Sequence, residues 1–168
     1  MNVSTASENP STDQIWTWLH DVPDPEIPVI SVVDLGIVRK IVWEQDTLVV
    51  HVTPTYSGCP ATAVINADIE SRLRKEGIES IRLERQLSPA WNTAWISKNG
   101  REKLLSYGIA PPVEGTGACG LARPQITVCC PRCRSTNTER ISQFGSTPCK
   151  AAYRCKACLE PFDYFKCI

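Results

Sequence analysis

The residues best suited to chemistry are cysteines, in two different settings. Cys130-Pro-Arg-Cys133 and Cys155-Lys-Ala-Cys158 are C-x-x-C pairs separated by 21 residues. Each pair turns two sulfurs toward one point, and together they close a tetrahedral four-thiolate site of the kind that holds structural zinc. Iron fits the same geometry, which leaves a rubredoxin-like electron carrier as an alternative. Cys149 and Cys167 are candidates for additional ligands, with small core residues or spare thiols as the competing reading. Cys59 stands apart, in Thr53-Pro-Thr-Tyr-Ser-Gly-Cys59-Pro60. An alternating strand precedes this stretch, and apolar residues at helical spacing (Val64, Ile65, Ile69, Leu73) follow it. Gly58 permits a tight turn and Pro60 suits a first helical position. Cys59 is therefore expected at or beside a helix N-cap, where amide N–H groups and the helix dipole favour a reactive or metal-binding sulfur. Asp24, Glu26 and Asp34 could line a site with it. They could equally cap turns through backbone hydrogen bonds.

The elements that must position these residues are legible in part. Ser11-Thr-Asp-Gln14 has the form of a capping box, opening a short helix whose apolar face is Ile15, Trp18, Leu19 and Val22. Three prolines between Pro23 and Pro28 forbid regular structure there. Residues 38–43 and 47–53 read as a hairpin, and residues 79–87 as a third strand. The helix from Pro60 stops at Gly77, and a last helix over residues 97–107 stops at Gly108. The order α-β-β-α-β-α predicts a small α+β domain with a three-stranded sheet. Trp91 and Trp95 are expected to pack on that sheet. Between the C-x-x-C pairs, residues 139–144 and 151–154 look like ribbon strands, with residues 161–166 returning after the second pair.

The expected domains are a disordered stretch over residues 1–10, the α+β domain over 11–108, a Gly/Pro-rich linker over 109–124 and a ribbon over 125–168. Gly115-Thr-Gly-Ala-Cys-Gly120 spells G-x-G-x-x-G but follows no strand and opens no helix, so it is read as linker. About 45 residues bury little core, and metal would supply much of the ribbon's folding free energy.

Eight of the nine cysteines fall after residue 118. Charge divides in the same place: from Pro124 onward seven Lys/Arg face three Asp/Glu, while the chain as a whole is neutral. Four thiolates on a divalent ion carry a charge of −2 and offset that basic excess. With no basic run interleaved with aromatics, no nucleic-acid partner is expected. The apolar runs are too short to span a membrane and the N-terminus does not read as a secretory leader, so a cytoplasmic protein with reduced thiols is expected. No Ser/His/Asp arrangement, Walker loop or di-iron Glu-x-x-His pattern is present, and no independent catalytic activity is expected.

Asp24-Pro-Glu-Ile-Pro28, Asp34-Leu-Gly36 and the Thr53–Pro60 stretch resemble the iron–sulfur-assembly accessory family that includes SufT, over roughly residues 12–110. Together with Ser88-Pro-Ala-Trp-Asn-Thr-Ala-Trp-Ile96 and Gly145-Ser-Thr-Pro-Cys-Lys-Ala-Ala-Tyr-Arg-Cys155, they make nearly the whole chain similar to the PaaD family. That family comprises the D components of the bacterial phenylacetyl-CoA epoxidase system. The resemblance implies an accessory role in aerobic phenylacetate degradation. It would be the maturation or repair of iron or iron–sulfur centres in the oxygenase or reductase component. Cys59 would then be a transient iron or cluster ligand, and Asp24, Glu26 and Asp34 the family's acidic loop. The ribbon departs from the assembly family, which leaves open whether a cluster belongs at Cys59 or in the tail. One such cysteine per chain also suits a cluster held across a homodimer. A structural subunit of the oxygenase complex that never touches iron is the competing reading.

Overall fold

The computed structural model describes residues 9–113 and 127–166. The expected disorder of residues 1–8, most of the expected linker, the Gly115–Gly120 motif, Cys119 and Cys167 lie outside the described residues.

The chain opens with α1 (Thr12–Leu19), capped as its sequence predicts. Gln14 N donates to Ser11 Oγ at 3.2 Å, and Ser11 N to Gln14 Oε1 at 2.9 Å. Ile15 and Leu19 are fully buried, and Val22 nearly so. Strands β1 (Val38–Glu44) and β2 (Thr47–Val52) form an antiparallel hairpin, with Gln45 at φ 54° in its turn. Helix α2 (Thr62–Lys75) crosses over to β3 (Ile81–Arg85), which pairs with β2 in parallel, so the sheet order is β1-β2-β3. β2 is the central strand, and its Leu48, Val49 and Val50 are wholly buried. α2 lays Ile65, Ile69 and Leu73 into the core. They recur every four residues, and burying each contributes on the order of 1.5–3 kcal/mol. Gly77, at φ 87°, ends the helix in the left-handed conformation that glycine adopts without strain. A short 3-10 turn over Thr93–Trp95 leads into α3 (Lys98–Ser106).

The loop between α1 and β1 is irregular, as its prolines require, yet densely bonded. Gly36 has a φ of 70°, and a Cβ there would meet Trp95 O at 2.6 Å. No other residue fits that position. Arg39 lies over the Trp95 ring, its guanidinium carbon 3.6 Å from the centroid. Trp91 is buried and donates from Nε1 to Leu35 O at 2.9 Å.

The C-terminal module is the expected ribbon, β5 (Thr138–Ser142), β6 (Lys150–Cys155) and β7 (Pro161–Phe165), antiparallel throughout. One strand was not expected. Ile109–Ala110, read from sequence as the start of the linker, forms β4 and pairs in parallel with Asp163 and Tyr164 of β7. The second sheet, β4-β7-β6-β5, thus takes its edge from the segment that follows α3. Packing joins the halves as well. Cys149 and Phe165 belong to the core cluster of the N-terminal residues, and the Phe165 ring meets Trp91 edge-on at 6.0 Å. The ribbon's own smaller core includes Val128, Ala151, Phe162 and Tyr164, with Tyr153 stacked on Phe162 at 5.8 Å. No helix of the described residues is long and apolar enough to cross a membrane.

Candidate metal centre and thiol pocket

The two C-x-x-C pairs converge. Sγ atoms of Cys130, Cys133, Cys155 and Cys158 all lie within 4.8 Å of one another. Cys130 and Cys158 are 3.7 Å apart, and Cys133 and Cys155 3.5 Å. Metal–sulfur bonds of about 2.3 Å at tetrahedral angles require sulfurs about 3.8 Å apart, so the four residues fit a metal ion. The two pairs also share a backbone plan. Cys130 N donates to Ser135 O and Cys155 N to Glu160 O, each at 2.9 Å. Arg134 and Leu159, one residue past each pair, both have a φ of 64°. The backbone N–H groups of Cys158 and Ala157 lower the Cys155 thiol pKa against burial, while the neighbouring sulfurs raise that of Cys158. A thiolate so stabilised is ready for a cation.

The second site is a cavity where the ribbon meets the N-terminal domain. Asp24, Glu26, Cys59, Thr62, Asn66 and Cys149 line it, among apolar residues that include Ile65 and Phe165. Its volume is about 20 Å³, enough for one water-sized guest. Cys59 is half-buried in the turn before α2. The helix begins at Thr62 with Ala61 as N-cap, so Cys59 lies two residues outside the cap and Pro60 is not its first residue. Cys59 N donates to Tyr56 O, and Thr62 N donates back to Cys59 O, both at 3.2 Å. The N-cap offers no side-chain acceptor to the helix.

The acidic residues separate into two roles. Asp24 Oδ1 accepts from Glu26 N at 2.9 Å and Ile27 N at 2.8 Å, fixing the proline-rich turn. It also lines the cavity, so both of its sequence-based readings describe it. Burial raises the Asp24 pKa, opposed by those backbone bonds and reinforced by nearby Glu26. Glu26 Oε2 lies 3.6 Å from Cys149 Sγ. Burial pushes the Cys149 thiol up to about 11 and Glu26 adds to it, while a hydrogen bond with Thr147 at 3.0 Å opposes. Tyr56 is raised by burial and then by Cys59, Glu26 and Cys149.

Asp34 is not in the cavity lining. It is buried beneath α3, where it accepts from Ser97 Oγ at 2.6 Å, Lys103 Nζ at 2.7 Å and Asn99 Nδ2 at 3.2 Å. Burial alone would raise its pKa, but Lys103 and Ser97 overcome that and lower it. In this structure Asp34 is a latch between the loop and α3.

Sequence reasoning did not anticipate that Cys149 shares a cavity with Cys59. Nor did it single out Thr62 and Asn66, whose Oγ1 and Oδ1 are buried without a hydrogen-bond partner. A local signal for Cys149 was available in its neighbours: it sits between a proline and a strand that ends in a metal-ligating cysteine.

Comparison with known proteins agrees with this division. A model of an iron–sulfur cluster assembly protein family matches residues 12–81, and one of the PaaD zinc beta ribbon domain matches residues 116–166. An Escherichia coli (strain K12) protein named as a 1,2-phenylacetyl-CoA epoxidase subunit is 46% identical over 159 residues, covering 95% of this chain and 94% of its own. A Porphyromonas gingivalis Fe-S protein maturation auxiliary factor is 32% identical over 98 residues, 57% of this chain and 90% of that protein. A conserved hypothetical protein from Thermotoga maritima, 29% identical, superposes with a TM-score of 0.50 over 58% of this chain and 97% of its own. A domain of unknown function from Bacillus anthracis shares the fold at a TM-score of 0.51 and 24% identity, over 55% of this chain and 89% of that one.

Proposed function

The chain belongs to the PaaD family, in which a named relative matches it almost end to end, and from that membership we propose an accessory role in aerobic phenylacetate catabolism. In this reading it does not itself carry out epoxidation. It matures or repairs the iron or iron–sulfur centres of the oxygenase or reductase component. Cys59 is the transient ligand of that iron or cluster.

One observation carries this reading: Cys59, Glu26 and Asp24 line a single cavity in a domain matched by the iron–sulfur assembly model. A thiolate beside a carboxylate suits a borderline cation such as ferrous iron. Half-burial leaves the sulfur within reach of a client. The P. gingivalis maturation factor, similar over 57% of this chain, supports an iron–sulfur maturation role, and the assembly-family match over residues 12–81 favours the N-terminal domain for it.

In the ribbon we propose zinc. Four thiolates satisfy its tetrahedral preference and leave no open position, so the ion is structural and supplies folding free energy. The ribbon then also serves as a docking surface, for which Ile141, Phe144 and Leu159 are suitably exposed.

The test is to produce the epoxidase components beside this protein or its Cys59→Ser variant and measure their iron and acid-labile sulfide. Loss of either from a client, with the variant still folded, is the expected result. Unchanged client metal would overturn the reading.

The name carried by the E. coli relative, that of an epoxidase subunit, favours a second reading, a structural member of the complex. That reading predicts co-purification with the oxygenase at fixed stoichiometry and client iron that is indifferent to Cys59.

A further inference from the structure

We infer that Cys149 of the ribbon is a metal ligand of the Cys59 cavity, and that Cys59, Cys149 and Glu26 together take a single divalent transition-metal ion as cargo. The inference rests on the iron-handling reading of Cys59 and deepens it. It names the ion's form and gives the ribbon a part in holding it.

Position comes first. By sequence Cys149 belongs to the ribbon, immediately before β6, yet its side chain is buried in the N-terminal core cluster. Six residues on, the same strand ends at Cys155 of the four-cysteine site. One short strand thus ties the metal-organised knuckle to the cavity wall. Glu26 Oε2 approaches the Cys149 sulfur to 3.6 Å from the opposite domain.

The chemistry of the lining selects the guest. Two thiols and two carboxyl groups face a small, largely apolar space, and Thr62 Oγ1 and Asn66 Oδ1 are buried there without partners. Lys150, paired with Asp163 at 3.7 Å, also favours the ionised forms of Asp24 and Cys149. Four groups that become anionic on losing a proton suit a cation over an anion, the protons leaving as it binds. A cation also answers the orphaned oxygens, which can bind it directly. Sulfur beside oxygen favours ferrous iron, cobalt or zinc over magnesium or calcium. A volume of about 20 Å³ holds one ion or one water.

The donors are set more widely than those of the ribbon. Among the described residues, the ribbon's four sulfurs form the one group of three or more ligand atoms that all lie within 4.8 Å of one another. A loosely drawn set of donors at a domain junction suits an ion that is loaded and passed on.

Cobalt(II), added without oxygen to protein whose ribbon already holds zinc, is the probe. Its thiolate charge-transfer absorption counts the sulfurs bound. The expected result is one further cobalt site with two-thiolate intensity. Cys59→Ser and Cys149→Ser should each halve the band, with affinity weakened about tenfold or more. Glu26→Gln should weaken affinity while keeping the band, and Cys129→Ser, at an exposed cysteine, should change neither. Because Cys149 is buried, Cys149→Ala serves as a second variant, with zinc content and far-ultraviolet circular dichroism as folding checks. Unchanged cobalt binding in a folded Cys149 variant, or no cobalt site beyond the ribbon, would overturn the inference. If the Cys149 substitutions destroy folding, an effect of Glu26→Gln on affinity decides for it and no effect decides against it. Client iron separates the two levels. Starvation by Cys59→Ser but not by folded Cys149 variants removes this inference alone, and starvation by neither removes the reading beneath it.

Discussion

Cys149 Sγ lies 3.6 Å from Glu26 Oε2, although 123 residues separate them in the chain. That contact makes the ribbon a wall of the thiol pocket rather than an appendage. Two further junctions hold it there, the pairing of β4 with β7 and the edge-on contact of Trp91 with Phe165. Folding of the ribbon and formation of the pocket are therefore coupled.

Removal of the ribbon's metal should be felt in the N-terminal domain. A strong chelator is expected to disorder the ribbon, expose Trp91 and shift tryptophan emission to the red. Trp91→Phe should show a much smaller shift. Fluorescence during chelation checks this, and an emission spectrum indifferent to metal would contradict the coupling.

Phe165 is 1% exposed and packs into the N-terminal core. Phe165→Ala should cost about 3–5 kcal/mol by urea denaturation. Phe144→Ala, at a ring 58% exposed, should fall within about 0.5 kcal/mol of wild type. Equal costs for the two would contradict the packing described.

How much of this was legible in the sequence follows the range of each interaction. The capping box, the hairpin and both C-x-x-C pairs are short patterns, each stabilised by residues a few positions apart. β4 has two residues and exists through its pairing with β7, so no local pattern announced it. Asp24 and Asp34 belong to one acidic loop by sequence. Their fates diverge because α3 and its N-cap supply Ser97, Asn99 and Lys103 to Asp34 alone. Cys149 stayed open between an additional ligand and a spare or core thiol, because Glu26 and Cys59 lie in the other domain.

The Asp34 latch predicts a pH dependence with a definite sign. Its folded pKa is below the ordinary aspartate value of 3.8, so its stabilisation is present above that value and lost as pH falls through the folded pKa. Asp34→Asn should lose about 2–3 kcal/mol at pH 7, the scale of charge-assisted hydrogen bonds to a buried carboxylate. The gap between variant and wild type should shrink below about pH 4. Urea midpoints across that range check it, and a pH-independent gap would contradict the latch.

In the proposed function Cys59 holds iron while the ribbon holds zinc. The most direct test is equilibrium dialysis of the whole protein against ferrous iron without oxygen, followed by zinc, iron and acid-labile sulfide analysis, beside Cys59→Ser. About one zinc per chain is expected in both proteins, with iron retained by wild type and lost from the variant, and little sulfide in either. Equal iron in both, or zinc that departs with the Cys59 substitution, would contradict it.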